Sequence, residues 1–429
     1  MDGSPVPAGR RPTRTCRRET NGKLEGREVA ATGSVSSRSG PRASYRVVSV
    51  ARFAVDVTAC WRPRRVGMLT VAVELSRALV TIRGTDEFTL LCSRERPHAL
   101  GGLDCDAVLA PYRHELALKA RWLRTIEPLL GCDAILYPYW PSPLFRHQTA
   151  PPAAIFVHDL AFRIRPAEVP WQQRAYMGAV LGPALRGAAA VLVPSESTKR
   201  DLMEHYKLPD LESKVVVIPE GVPEPVPAGP LPDGLERGFI LAVGTVEPRK
   251  NYARLLAAFR QLRGRHGTLP FIINGRPGVP QLVIAGRPGW AYGDTLQRIA
   301  AEPGVRYLGH VDEPTLSALY ESASVLAFPS LYEGFGLPLL EAMSRGKPAV
   351  VGSAGSLPEL AMGSAIGVDP GDVDAIAGAL ERLLADAALR QKLGDEGMRR
   401  AAGFTWIRAA ELTLGVLHRI GKPARRRVA

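Results

Sequence analysis

Two successive series of short apolar runs, separated by amphipathic segments, organise the chain. In the first series "RFAVDV" (52–57), "FTLLC" (88–92), "DAILYP" (133–138), "AAIFVHD" (153–159), "AAVLVPS" (189–195) and "KVVVIP" (214–219) read as strands. Helical spacing lies between several of them, as in Leu69 to Leu79 and Ser197 to Tyr206. The second series runs "FILAVG" (239–244), "QLVIAG" (281–286), "VRYLGHV" (305–311), "SVLAFPS" (324–330), "PAVVGS" (348–353) and "IGVDP" (366–370). Between the two lies "EGVPEPVPAGPLPDG" (220–234), whose prolines suit neither a helix nor a strand interior. Strand and helix alternating in this way predicts α/β architecture with parallel sheets. Two doubly wound domains facing across a cleft follow, with a ligand expected at the carboxyl ends of the strands. The expected boundaries are a first domain at 45–222, a linker at 223–235, a second domain at 236–404, and a last helix with a basic tail at 405–429.

Length agrees, since 429 residues exceed one ordinary core. At 46% hydrophobic and 23% charged residues the chain can bury cores over most of its length. Its net charge of +13 favours anionic partners, but much of it is terminal. Residues 1–44 hold nine Arg and Lys against four acids in a Gly, Ser and Pro-rich setting, which reads as a disordered tail, and "KPARRR" adds to the other end. The body is then only mildly basic, and no aromatic residues alternate with basic ones as a nucleic-acid platform requires. No nucleic-acid partner is expected. No apolar run reaches the ~18 residues of a membrane span, and the Arg-rich start lacks a leader's apolar core. The expected location is cytoplasmic, with the basic ends offering peripheral attachment to an anionic inner membrane face. Cys16, Cys60, Cys92, Cys105 and Cys132 have no metal-site or redox spacing and read as free thiols.

Chemistry concentrates in "FPSLYEGFGLPLLEAMSRG" (328–346). "SVLAFPS" is a strand, "LYEGFG" the turn at its carboxyl end, and "LPLLEAMSRG" a short helix with Pro338 in its first turn and Gly346 past its end. The amides of Gly334, Phe335, Gly336 and Leu337 would stand at the helix N-terminus, where a phosphate is the expected occupant. A carboxylate is repelled by phosphate, so Glu333 and Glu341 are expected to accept hydrogen bonds from hydroxyls on either side of it. A nucleotide sugar has that layout: ribose, pyrophosphate, sugar. The other reading is a surface loop with two solvated glutamates. In "FILAVGTVEPRKNYARLLAAF" a strand, a turn and a helix follow in order. Asn251 is expected to cap that helix, and Arg249 and Lys250 stand in its loop at the same sheet edge. Two cations there could neutralise a leaving pyrophosphate.

The ordered matches "VGTVEPRKN", "LVIAGRPGW", "YLGHV", "FPSLYEGFGLPLLEAMSRGKPAV", "SLPEL" and "VDPGD" carry a resemblance over residues 52–420. The chain resembles the retaining glycosyltransferases of family 4, with the GT-B fold of two Rossmann-like domains, and within them the bacterial mannosyltransferase-like branch. That similarity implies transfer of a hexose, best matched as mannose, from GDP-mannose or another nucleoside-diphosphate sugar to a glycan or lipid-linked acceptor. It implies no cofactor and no metal. By it Arg249 and Lys250 hold the diphosphate, Glu333 with the amides after it holds the donor sugar, and Glu341 holds the ribose. His310 and Val311 border the base, and His158 of "VHDL" reaches the donor sugar from the first domain. Gly67 and Gly244 also fall in the donor site, and Arg249, Lys250, His158 and Glu333 form the catalytic set. The last helix, within "FTWIRAAELTLGVLHRI" (404–420), is expected to return to the first domain.

The match departs at "RPRRVGMLT", where Arg65 and Met68 stand in place of a second glycine and a polar or basic residue. "GRHGTLPFIINGRPGVPQ" (264–281) is an extra stretch, expected as a surface loop, and "LYPYWPSPLF" (136–145) a wall of the acceptor pocket. A nucleotide-sugar epimerase of similar architecture and a non-catalytic sugar-nucleotide-binding partner remain as alternatives.

Overall fold

The structure, a computed structural model, describes residues 50–61, 67–111, 118–139, 146–224, 226–265, 271–273, 276–278, 280–290 and 293–421. The two basic ends, Arg65 and residues 140–145 of the expected acceptor wall lie outside the described residues. All described residues belong to one compact unit, Ser49–Ala429, which holds two parallel sheets.

The first sheet comprises β1 (Arg52–Asp56), β2 (Glu87–Cys92), β3 (Asp106–Leu109), β4 (Ala134–Tyr137), β5 (Ala153–Phe156), β6 (Ala190–Val193) and β7 (Val215–Val217), in the order β3-β2-β1-β4-β5-β6-β7. The second comprises β8 (Ile240–Val243), β11 (Leu282–Ala285), β12 (Val305–Gly309), β13 (Val325–Phe328), β14 (Ala349–Gly352) and β15 (Ile366–Val368), in the order β12-β11-β8-β13-β14-β15. Every pairing in both is parallel. A parallel sheet needs cover on both faces, and successive side chains serve opposite faces. Phe53 and Val55 accordingly join one core cluster while Ala54 joins the other. In the second sheet Ile240 and Ala242 face one way and Leu241 the other. That double burial makes the strands legible as apolar runs.

Two elements escaped the pattern. β3 is an edge strand whose residues are mostly exposed, and its short run Ala107–Ala110 is not among the expected strands. The stretch 264–281, expected as a surface loop, carries an antiparallel hairpin of β9 (Phe271–Ile273) and β10 (Arg276–Gly278).

The last helix, Trp406–Gly421, buries Trp406, Ala409, Ala410, Thr413, Val416 and Leu417, a 3.6-residue stripe. Five of these, all but Thr413, belong to the first sheet's core with Phe53 and Val55, so the helix does return to the first domain. His418 Nε2 pairs with Asp86 Oδ2 at 2.8 Å, and its ring meets Phe53 edge-on at 5.2 Å. Among the described residues no helix is long and apolar enough to cross a membrane.

In both sheets the first strand of the series lies inside the sheet, and the order in which strands are added reverses around it. The second sheet's switch point lies between β8 and β13, so the loops leaving those strands define the place where a ligand fits an open α/β sheet.

Candidate active site

After β8 the chain continues through Gly244 into a single 3₁₀ turn, Pro248–Lys250. Asn251 then takes a left-handed conformation (φ 63°) before the helix Tyr252–Arg265. Asn251 does stand at the cap position, its carbonyl accepting from the Leu255 amide at 3.1 Å, but its side-chain oxygen accepts from Arg254 Nη1 at 3.1 Å rather than from a first-turn amide. Asn251 Nδ2 donates to the carbonyls of Pro329 (3.0 Å) and Pro370 (2.6 Å), tying this turn to the loop after β13. The Leu331 amide adds a bond to the Arg249 carbonyl at 2.8 Å. Two loops about 80 residues apart in sequence are thereby fixed against each other before any side-chain charge is considered.

Arg249, Lys250 and Glu333 meet at this junction. Glu333 accepts from Arg249 Nη1 on Oε2 and from Lys250 Nζ on Oε1, both at 2.7 Å. Arg249 Nη1 also donates to the Tyr332 carbonyl at 2.8 Å. Lys250 lies over the Phe328 ring, 4.7 Å from its centre, with its stem against Gly244. Burial opposes ionisation of Glu333, but Arg249 and then Lys250 outweigh it and hold the carboxyl down at about 2. Burial likewise works against the Arg249 charge, and Glu333, Glu247 and Asp159 together raise its pKa instead. Glu333 therefore stays ionised and holds both cations in place.

The turn that follows is pressed onto the first domain. Gly334 has no room for a side chain, because a Cβ there would lie 1.9 Å from the His158 carbonyl oxygen and 2.8 Å from Asp159 Cβ. Its own carbonyl accepts from Ser195 Oγ (2.8 Å) and Thr198 Oγ1 (3.1 Å). Tyr332 donates to Asp201 at 2.7 Å, and Glu359 accepts from the amides of Glu196 and Ser197 at 2.9 and 3.0 Å. Those amides open the helix Glu196–His205, whose first turn favours a carboxylate. Gly336, at φ 112°, turns the chain into the helix Leu337–Ser344. Among the described residues no acceptor takes the amides of Gly334, Phe335, Gly336 or Leu337. Phe335 is itself buried, edge-on to Phe404 at 5.9 Å.

The other expected residues fall around this centre. Glu341 sits on the helix Leu337–Ser344 near Tyr320, whose hydroxyl donates to the Pro338 carbonyl at 3.3 Å. Its carboxyl is pushed up to about 7, chiefly by burial and further by Glu313, with Tyr320 and Arg345 opposing. Val311 is half-buried and His310 exposed at the end of β12. His158 is buried at the end of β5, stacked on Phe156. Its ring contacts the Pro138 carbonyl through Nε2 (2.8 Å) and Glu220 through Nδ1 (3.4 Å), while its backbone meets Gly334. Gly67 starts the helix Gly67–Ile82 and is exposed, as is Met68. The spacing of charges did not reveal Glu247. It is buried and accepts from Arg249 Nε (3.0 Å) and Nη2 (2.7 Å). Its only sequence signal was adjacency to Arg249.

The Glycosyltransferase Family 4 signature matches residues 66–224, and that of Glycosyl transferases group 1 matches residues 231–400. The O-antigen chain mannosyltransferase B of Escherichia coli is 31% identical over 271 residues, covering 60% of this chain and 68% of that protein. The chain belongs to glycosyltransferase family 4. That membership makes it a glycosyltransferase rather than an epimerase, and an enzyme rather than a non-catalytic partner. A shorter match, 39% identical over 133 residues, links this glycosyltransferase to the MMP alpha-(1->4)-mannosyltransferase of Mycolicibacterium hassiacum, over 28% of this chain and 31% of that one. Among solved structures the sucrose-phosphate synthase of Thermosynechococcus elongatus superposes with a TM-score of 0.65 at 22% identity, over 86% of this chain and 98% of that one. A UDP-glucose complex of Anabaena Alr3699/HepE superposes at 0.63 and 16% identity, over 86% and 99%. These two share the GT-B fold.

Proposed function

We propose that the enzyme transfers mannose from a nucleoside-diphosphate sugar, GDP-mannose fitting best, to a glycan or lipid-linked acceptor with retention at the anomeric carbon. The observation that carries it is Arg249 and Lys250 held together by Glu333 at the β8/β13 switch point, beside the four amides of 334–337. The first matched relatives are mannosyltransferases, which supports the choice of sugar. As the bond from the anomeric carbon to the diphosphate breaks, its electron pair goes to the departing oxygen, and an acceptor hydroxyl bonds to the carbon and gives its proton to that diphosphate. Charge then grows on the diphosphate. Fixed donors aimed at such charge need little reorganisation, and this is commonly the largest catalytic contribution. Arg249, Lys250 and the amides supply those donors, and this reading invokes no metal. Glu341 accepts from the ribose hydroxyls.

The Glu341 reading has a pH consequence. A carboxyl titrating at about 7 is mostly protonated at pH 6 and ionised at pH 8, and the ionised form is the better acceptor. Affinity for GDP or UDP is expected to rise with pH across that interval by up to about tenfold. The fold's own stability moves oppositely. A raised carboxyl pKa gives a contribution present below the ordinary carboxylate range and lost as pH rises through about 7. Calorimetric titration with each nucleotide measures the affinity, with Glu341→Gln as the control that leaves only the phosphate's own titration. The same slope in both proteins would refute the ribose assignment. Saturating the right nucleotide at ~100 times its Kd should also stabilise the protein by about 2.7 kcal/mol in thermal unfolding.

The reading extends to a cytoplasmic enzyme attached peripherally to an anionic membrane face through its basic ends, each charge near the surface contributing about 1 kcal/mol. Co-sedimentation with anionic vesicles should fall with added salt and drop sharply for a chain starting at Ser44. Equal binding by both chains at low salt rules out the tail as anchor.

A further inference from the structure

Arg249 is placed by more than Glu333. A guanidinium carries five N–H donors in a rigid plane, so its aim is set by which edge is held. Glu247 Oε1 takes the Nε edge, with bonds of 3.0 Å from Nε and 2.7 Å from Nη2. Nη1 is spent on the Tyr332 carbonyl and Glu333. Four donors are thus accounted for, and the fifth, on Nη2, is oriented by the Glu247 bond on the same nitrogen.

Glu247 is itself anchored on both sides. The Val246 amide donates to the Arg287 carbonyl at 2.7 Å, and Gly289 returns a bond to the Val246 carbonyl at 3.0 Å. The Glu247 carbonyl accepts from the Lys250 amide at 3.1 Å. "VEPRK" and "GRPG", separate in sequence, are therefore one rigid base. The Glu247 side chain is only 3% exposed, too covered to touch a ligand in the cleft.

We propose that Glu247 is the positioning residue for Arg249: it fixes the guanidinium plane so that its remaining Nη2 donor and Lys250 converge on the diphosphate of a nucleotide sugar. This rests on the reading of Arg249 as a diphosphate ligand. A carboxylate there costs some of the positive charge that would attract the donor. What it returns is orientation, because an arginine held on one edge only can swing, and small misplacements of a catalytic donor are expensive.

The test uses the full chain, calorimetric binding of GDP and UDP, release of GDP from GDP-mannose, and thermal unfolding. Glu247→Ala is expected to weaken nucleotide binding about tenfold and to bring turnover down to the level of Arg249→Ala. The double variant Glu247→Ala/Arg249→Ala should be no worse than Arg249→Ala alone, because a positioning residue has nothing left to position. Losses that multiply in the double variant overturn the proposal. Glu247→Gln and Glu247→Asp carry the test if the alanine variant does not fold. Gln keeps an acceptor oxygen at the same reach without charge, whereas Asp keeps the charge and loses the reach. Positioning predicts that Gln retains more binding and turnover than Asp, and the reverse order overturns it. If Arg249→Ala binds GDP and UDP like the wild type, the diphosphate reading and the proposal both fall. If Arg249→Ala weakens binding and Glu247→Ala does not, only the positioning role is lost.

Discussion

Replacing Arg249 with alanine is expected to lower turnover by about 30- to 1000-fold, the 2 to 4 kcal/mol typical of losing one preorganised donor opposite developing negative charge. It is also expected to destabilise the fold. The sequence places Arg249 in a loop at the sheet edge. In the structure its side chain is only 14% exposed and bonds to Glu247, Glu333 and the Tyr332 carbonyl. Its removal leaves Glu247 with no cation bonded to it and Glu333 with Lys250 alone. Breaking a buried pair in this way costs about 3–5 kcal/mol. Arg249→Lys separates the two effects, since it keeps a charge near both glutamates but loses the planar fork. It should recover much of the melting temperature and little of the turnover. Stopped turnover assays at a temperature well below unfolding, with calorimetric melting alongside, check both halves. Wild-type turnover in Arg249→Ala removes the pyrophosphate site from this place in the fold.

The Gly334→Ala variant is expected to lose about 100-fold in turnover while both sheets remain folded. The added methyl would lie 1.9 Å from the His158 carbonyl oxygen, and that oxygen belongs to backbone at the end of β5, which cannot swing aside as a flexible side chain can. The two faces of the cleft must separate, and the bonds from Ser195 and Thr198 to the Gly334 carbonyl lengthen with them. A displacement of about 1 Å between groups on opposite walls is enough for a loss of that size. Affinity for a bare nucleoside diphosphate should change less than turnover, because Arg249, Lys250 and Glu341 all lie on the second domain's side. Far-ultraviolet circular dichroism, nucleotide titration and turnover on the same preparation decide it. Turnover within threefold of wild type means that this contact is not part of the working geometry.

Glu333 illustrates how the tertiary structure changed a reading. Taken from the sequence, it accepts from hydroxyls of the transferred sugar, apart from the cations. In the structure both of its oxygens are bonded to Arg249 and Lys250. Removing it therefore loosens the diphosphate cations as well, and a clean division between a sugar glutamate and a ribose glutamate no longer follows.

The amino-acid sequence alone determined the architecture, because the inner strands β4, β5, β6, β8, β11, β13 and β14 are buried almost throughout and read as apolar runs, while proline and charge break in where those strands end. That places the "EPRK" and "YEGFG" turns at the carboxyl edge of one sheet. The tertiary structure alone decided what those turns do to each other. β8 and β13 are neighbours only because the strand order reverses around β8, and this brings Arg249 to Glu333 across 84 positions. Asn251 shows the same limit: its type and place fit a helix cap, but that its side-chain NH2 ties two proline carbonyls from distant loops follows only from the fold. Local pattern encodes burial, which each residue meets within its own element. Pairing of buried charges depends on which loops meet, and that is settled only when the sheet order is.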